Sequence, residues 1–356
     1  MTSVSHNSAM RSDDGTDRLS PERHRAVPVE LPWGLAWDDL RCCLPDRSRP
    51  IGAFATHEIR GLHRQGRSQI LTIRYRQPDG RQRDRTIFLK LTDPRRPEAS
   101  KYRCLAAHRA PIPRLIGSAT TSAGETLVLE FLPTIGTTAG QADDLLELIA
   151  EINTIEHPPI DIFSAPAGDP EYGDRIRRAL VRLLPDASDA GRWLDGYGRA
   201  GELVAQLPLA LNHNELSFQQ VGWAQEDEQR GARLLVFDLE SMSLQPQYTD
   251  IAGILPDLAA QTHRTERDLF RTYLQAVDRR AGGTTDPGRA WTAMRIVRIV
   301  RTFEALPWLI TMIDTPQVEA PDEAVGRLGR DLADAGLLAP GNPIVSRRRD
   351  DQTDSR

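Results

Sequence analysis

Residues 209–221, LALNHNELSFQQV, and residues 234–240, LLVFDLE, are the two stretches on which the reading of this chain turns. In the first, an apolar run delivers His213, Glu215 and Gln220 onto a short polar loop. In the second, Leu234, Leu235, Val236 and Phe237 spell a buried strand that closes on Asp238. A polar turn, a hairpin and then an acid is a way for one chain to bring a base and metal ligands to a common point. Two other chemistries use similar letters. Zinc deaminases pair His-x-Glu with a later Pro-Cys-x-x-Cys, and this chain has no cysteine after Cys104. Metalloproteases need His-Glu-x-x-His on a helix, which is absent too.

The spacing His213-Asn214-Glu215-x-x-x-x-Gln220, followed by Asp238, resembles the catalytic and metal-binding loops of the aminoglycoside phosphotransferase and choline kinase families. There the first motif reads His-Gly-Asp-x-x-x-x-Asn and the second begins with Asp. Here Glu215 and Gln220 keep the chemical class of those two side chains and lengthen each by one methylene. The resemblance implies an α+β, bilobal, protein-kinase-like fold, with a small antiparallel-sheet N-lobe carrying one helix and a mostly helical C-lobe. It implies ATP or GTP and Mg2+ as cofactors, and transfer of the γ-phosphoryl group to a hydroxyl of a small molecule. The alternative is a catalytically silent nucleotide- or ligand-binding protein of the same fold.

Composition agrees with a globular chain. The 356 residues suffice for one large or two moderate domains, and 39% hydrophobic and 27% charged residues are ordinary for a soluble protein. A net charge of −5 makes no global case for nucleic acid or an anionic membrane as partner. Three cysteines, two of them adjacent, point away from a disulfide framework and towards a reducing, cytoplasmic setting. The N-terminus lacks the apolar core of a secretory signal. The run 290–313 is broken by Arg295, Arg298, Arg301 and Glu304, which argues against a membrane span. Of 45 basic residues only Lys90 and Lys101 are lysines, so each needs a local reason.

Residues 1–30 and 346–356 read as disordered tails, 31–132 as the nucleotide-binding lobe and 133–345 as the helical lobe with the catalytic loop. Strands are expected at 57–63, 69–76 and 86–91, then a helix after Pro97, then two strands around the 122–124 turn. PTIGTTAGQADD, from Pro133, reads as a linker. Helical periodicity follows over 143–155, 174–184, 189–206, 251–260, 263–280, 289–313 and 322–335.

Lys90 ends the apolar strand TIFLKL. By itself it reads as a snorkelling strand lysine; the resemblance makes it the residue that holds the nucleotide's α- and β-phosphates, braced by Glu98. Gly66 and Ser68, within RQGRS, are candidates for the loop over the phosphates, although any hairpin favours such residues. The backbone near Glu130–Leu132 corresponds to the hinge that meets the nucleobase, so Glu130 and Leu132 join the candidates. The resemblance makes His213 a structural residue of the catalytic loop and Glu215 the group that orients the acceptor hydroxyl. It makes Gln220 and Asp238 the metal ligands, with Glu240 as a second metal or substrate group. Asp250 is expected to cap its helix and tie it to the catalytic loop. Arg295, Arg298 and Arg301 read as a solvated helix face, and Trp291, Phe303, Trp308 and Met312 as core. Asp143, Asp144 and Glu147 read as a helix-capping cluster that would also attract a cationic acceptor.

Overall fold

The computed structural model describes residues 30–58, 67–93, 98–156, 158–164, 171–184, 186, 189–224, 233–312 and 321–338. Gly66, Pro97 and most of both expected tails lie outside these residues. The chain forms two compact units: Met1–Ile162 with Glu215–Met242, and Phe163–Asn214 with Ser243–Arg356.

The first unit opens with strands β1 (Arg49–Glu58), β2 (Ser68–Arg76) and β3 (Gln82–Leu91), followed by helix α1 (Ala99–Ala107). Strands β4 (Leu115–Thr121) and β5 (Gly124–Glu130) complete an antiparallel sheet ordered β1-β2-β3-β5-β4. This is the expected five-stranded sheet with one helix after its third strand. Alternation explains it: Leu71, Ile73 and Tyr75 of β2 are buried while Thr72 and Arg74 are not. Gly80 (φ 84°) turns β2 into β3, and Gly124 (φ 132°) turns β4 into β5, backbone angles that suit glycine. Leu71, Ile73, Ile87, Leu89 and Val128 form the core, capped by Leu35, Leu40 and Cys43 from the preceding segment. The first strand starts at Arg49, earlier than expected. β1 is an edge strand whose register shifts between Pro50 and Gly52, where both residues are tolerated.

The two-residue strand β6 (Thr134–Ile135) lies where a plain linker was expected; helices α2 (Ala142–Asn153) and α3 (Ile160–Phe163) follow. The second unit contributes α4 (Tyr172–Leu183), α5 (Asp189–Val204) and β7 (Leu209–Asn212). The chain then returns to the first unit for β8 (Val221–Trp223) and β9 (Leu234–Val236), which extend β6 into a three-stranded sheet ordered β6-β8-β9. Strand β10 (Ser243–Pro246) pairs with β7, and α6 (Thr249–Thr262), α7 (Glu266–Ala281), α8 (Pro287–Met312) and α9 (Pro321–Asp334) complete the second unit.

Ile176, Leu180, Trp193, Ile299, Phe303 and Leu328 build the helical core. Two expectations fail on α8. Trp308 is 51% exposed, because five residues beyond Phe303 a helix has turned well away from the core face. The arginine stripe is held by partners, with Arg295 and Arg298 largely covered and Arg301 partly exposed. Arg295 reaches Asp331 at 3.3 Å and Asp334 at 3.1 Å, Arg298 binds Glu266, and Arg301 donates to the Asn214 carbonyl at 2.9 Å. Among the described residues no helix is long and apolar enough to cross a membrane.

Candidate active site

Lys90 sits near the end of β3, the central strand of the larger sheet, opposite Ser68 on one side and Leu127 on the other. Both backbone edges are thus committed to the ladder, and the side chain alone is left for chemistry. It is 7% exposed, so its ammonium needs compensation. Nζ lies 2.6 Å from Glu98 Oε2, 2.5 Å from Asp238 Oδ1 and 4.0 Å from Glu240 Oε2. Lys90 and Asp238 stand 148 positions apart in sequence, yet their side chains touch.

Helix α1 supplies the next layer. Glu98 occupies the position before its first turn, and Lys101 and Tyr102 follow three and four residues later, on the same helix face. Glu98 and Tyr102 are fully buried and Lys101 is nearly so. The Lys101 ammonium donates to the carbonyls of Leu239, Glu240 and Met242 at 3.1, 2.7 and 2.7 Å. Burial pushes the Glu98 carboxyl upward; the Lys90 ammonium pulls it back, and the net displacement is up. The Tyr102 phenol is driven well above its usual range by burial first and then by the negative charge of Glu98 and Asp238.

Asp238 follows β9 with φ 65° and ψ 57°, the left-handed region that L-residues other than Asn and Asp seldom occupy. A single 3-10 turn, Leu239–Ser241, then brings Glu240 back beside it, buried. Glu98, Asp238 and Glu240 each offer a carboxylate oxygen within 4.8 Å of the others. Neighbouring ligands of an octahedral Mg2+ ion stand about 3.0 Å apart and opposite ones about 4.2 Å, so these oxygens would draw together on such an ion to make a hard, all-oxygen site. Glu98 Oε1 is buried with no hydrogen-bond partner among the described residues, a second sign that the cluster suits a cation.

The other signature residues are distributed as follows. In the second unit His213 is 1% exposed, and its amide donates to Asp250 Oδ2 at 2.7 Å, while the Asn214 amide donates to Oδ1 at 2.8 Å. The Asp250 amide in turn donates to Asn212 Oδ1 at 3.1 Å. Asp250 thus ties the start of its helix to residues 212–214, and burial raises its carboxyl above the usual range. In the first unit Glu215 is exposed at the loop surface. Gln220 Oε1 accepts from Ser217 Oγ at 2.5 Å, and its carbonyl accepts from the Phe237 amide at 3.0 Å. The loop and the strand that ends at Asp238 are therefore joined through the Gln220 backbone, while the Gln220 amide closes its own turn. Glu130 ends β5 and accepts from the Arg114 amide at 3.2 Å; Leu132 is buried against Gly222. Gly66 is outside the described residues, whereas Ser68 faces Lys90 across the ladder.

No family model matches the sequence, and no curated protein matches it either. Solved structures do match. Choline kinase from Cryptosporidium parvum superposes with a TM-score of 0.53 at 14% identity, covering 80% of this chain and 91% of that one. The chain has a kinase-like fold. The GDP complex of a mutant aminoglycoside 2'-phosphotransferase-IIIa shares the kinase-like fold too, with a TM-score of 0.50 and 12% identity over 84% of this chain and 96% of that one. Lys101, for which the sequence offers no local reason, finds one in the carbonyls of Leu239, Glu240 and Met242. Its spacing from Glu98 puts both on one face of α1, but the backbone carbonyls that it binds leave no mark in the sequence.

Proposed function

We propose that the chain is a phosphotransferase that moves the γ-phosphoryl group of ATP or GTP onto a hydroxyl of a small molecule. The observation that carries this reading is the convergence of Lys90, Glu98, Asp238 and Glu240. Three carboxylates gathered around one buried ammonium form a costly arrangement unless a cation and a polyanion are meant to enter it. Asp238 and Glu240, joined by Gln220, would hold Mg2+, which when bound neutralises charge on the phosphate oxygens.

In this reading Lys90 turns from Asp238 to the α- and β-phosphates, and Glu98 keeps its ammonium from following them out of place. The backbone near Glu130 and Leu132 receives the nucleobase edge, and Ser68, across the ladder from Lys90, offers its hydroxyl to the phosphates. Glu215 accepts the proton of the acceptor hydroxyl as its oxygen bonds to the γ-phosphorus. The bond from that phosphorus to the β–γ bridging oxygen breaks, and the nucleoside diphosphate leaves with the electron pair. Asp250 holds the amides of His213 and Asn214, the residues that precede Glu215 in the chain. The structural neighbours named above are a choline kinase and an aminoglycoside phosphotransferase, which is consistent with this class of acceptor.

One observation favours the rival reading of a silent nucleotide-binding protein. The Gln220 amide oxygen already accepts from Ser217, so the loop is closed without a metal ligand there. Two variants separate the readings. Asp238→Ala abolishes Mg2+-dependent nucleotide turnover if the phosphotransferase reading is right, and turnover at the wild-type rate in that variant overturns it. Glu215→Asp with Gln220→Asn lowers activity if the longer arms are tuned to this loop. A large gain instead identifies a decayed site.

A further inference from the structure

The second lysine of the chain answers to none of the roles above. We infer that Lys101 is the positioning residue for the metal site, holding the 239–242 turn so that the Asp238 and Glu240 carboxylates face the cation together. This rests on the phosphotransferase reading and deepens it.

The geometry is specific. An ammonium has three N–H donors and no acceptor, and the Lys101 amine places them on the carbonyls of Leu239, Glu240 and Met242. Within this turn the Met242 amide donates to the Leu239 carbonyl at 3.0 Å, and one ammonium gathers that carbonyl together with those of Glu240 and Met242. The turn begins from a left-handed Asp238, a conformation that aspartate tolerates better than most residues and that sets the direction of the chain into Leu239. Lys90 grips the Asp238 carboxylate from β3, while Lys101 grips the following backbone from α1. Because Glu98 and Lys101 leave the same helix face, α1 sets the brace of Lys90 and the platform of the metal ligands at once. A guanidinium cannot replace this tripod, since its donors are fixed in a plane. This accounts for a lysine at position 101 in a chain whose other lysine is Lys90 and whose remaining cations are arginines.

The test measures affinity for AMP-PNP with saturating Mg2+ and with EDTA, in the wild type, Lys101→Met, Lys101→Arg and Lys101→Ala. Loss of an outer residue that orients metal ligands costs about 10- to 100-fold in metal affinity. We therefore expect the Mg2+ enhancement of nucleotide binding to fall by that factor in both Lys101→Met and Lys101→Arg, with binding in EDTA nearly unchanged. Propylammonium added to Lys101→Ala should restore part of the enhancement and should do nothing for Lys101→Arg. Lys101→Arg keeps the charge and the stem, so it carries the test if the neutral variants do not fold. A wild-type enhancement preserved in Lys101→Arg and Lys101→Met, or an equal loss with and without Mg2+, overturns the inference and leaves the phosphotransferase reading intact. A wild-type chain that binds no nucleotide in the presence of Mg2+ overturns both.

Discussion

Replacing Lys90 by methionine removes one cation from the middle of three carboxylates. Glu98 is fully buried 2.6 Å from the amine, and Asp238 is 30% exposed at 2.5 Å. Water can take the place of the lysine at Asp238 but not at Glu98, so most of the penalty falls on Glu98. Removing one partner of a buried pair costs about 3–5 kcal/mol. The loss depends on pH, and its sign follows from the direction of the Glu98 shift. Burial raises the Glu98 carboxyl, and the Lys90 ammonium opposes that rise, so without the lysine it rises further. A carboxyl raised in the folded state contributes stability that is full below the ordinary carboxylate range and is lost as pH climbs through the folded value. Lys90→Met should therefore unfold in urea with a deficit of about 3–5 kcal/mol at neutral pH, and the deficit should shrink towards pH 4–5. Glu98→Gln added to Lys90→Met should recover much of the neutral-pH loss, because the orphaned charge is gone. A deficit under about 1 kcal/mol, the range of a solvated surface pair, or one that is the same at both pH values would refute the reasoning.

Further outcomes follow from the same structure. Asp250→Ala orphans the amides of His213 and Asn214, at about 1–3 kcal/mol each, and should lower the urea midpoint. Its effect on turnover should exceed that of a surface substitution, because those amides open the segment that leads to Glu215. Gly222→Ala places a Cβ 2.9 Å from Leu132 Cδ1 and 2.9 Å from the Thr134 carbonyl, in the middle of the β6-β8-β9 sheet. Overpacking of this kind costs about 1–3 kcal/mol, read in the same unfolding assay. Arg301→Ala removes the donor to the Asn214 carbonyl and should reduce turnover more than it reduces nucleotide affinity, measured by kcat against the Kd of AMP-PNP.

The larger sheet was legible because its signals are local. Alternating Leu71, Ile73 and Tyr75, the QPDG turn and the glycine at 124 each act within a few residues. Most long helices were legible for the same reason, and α7 carries both expected ends, a Thr265 cap and a left-handed Gly282. What escaped was long-range. Strand β6 pairs with residues some ninety positions away and is only two residues long, so no periodicity betrays it. The arginines of α8 look like a solvent face in one dimension, since their partners Glu266, Asp331 and Asp334 lie on other helices. At the site, Lys90, Glu98, Asp238 and Glu240 could be named from the motifs and the strand ends. That Lys101 joins them could not, because the carbonyls it binds have no spelling in sequence.

The central claim is that Lys90 and Asp238 meet in order to share a Mg2+-bound nucleoside triphosphate. Its most direct measurement is calorimetric titration of AMP-PNP into the wild type and Asp238→Asn, each with Mg2+ and with EDTA. The account predicts tight binding only for the wild type with Mg2+, and weak, metal-independent binding for the variant. Equal titrations of the two proteins in Mg2+, or no heat from the wild type in any buffer, would contradict it.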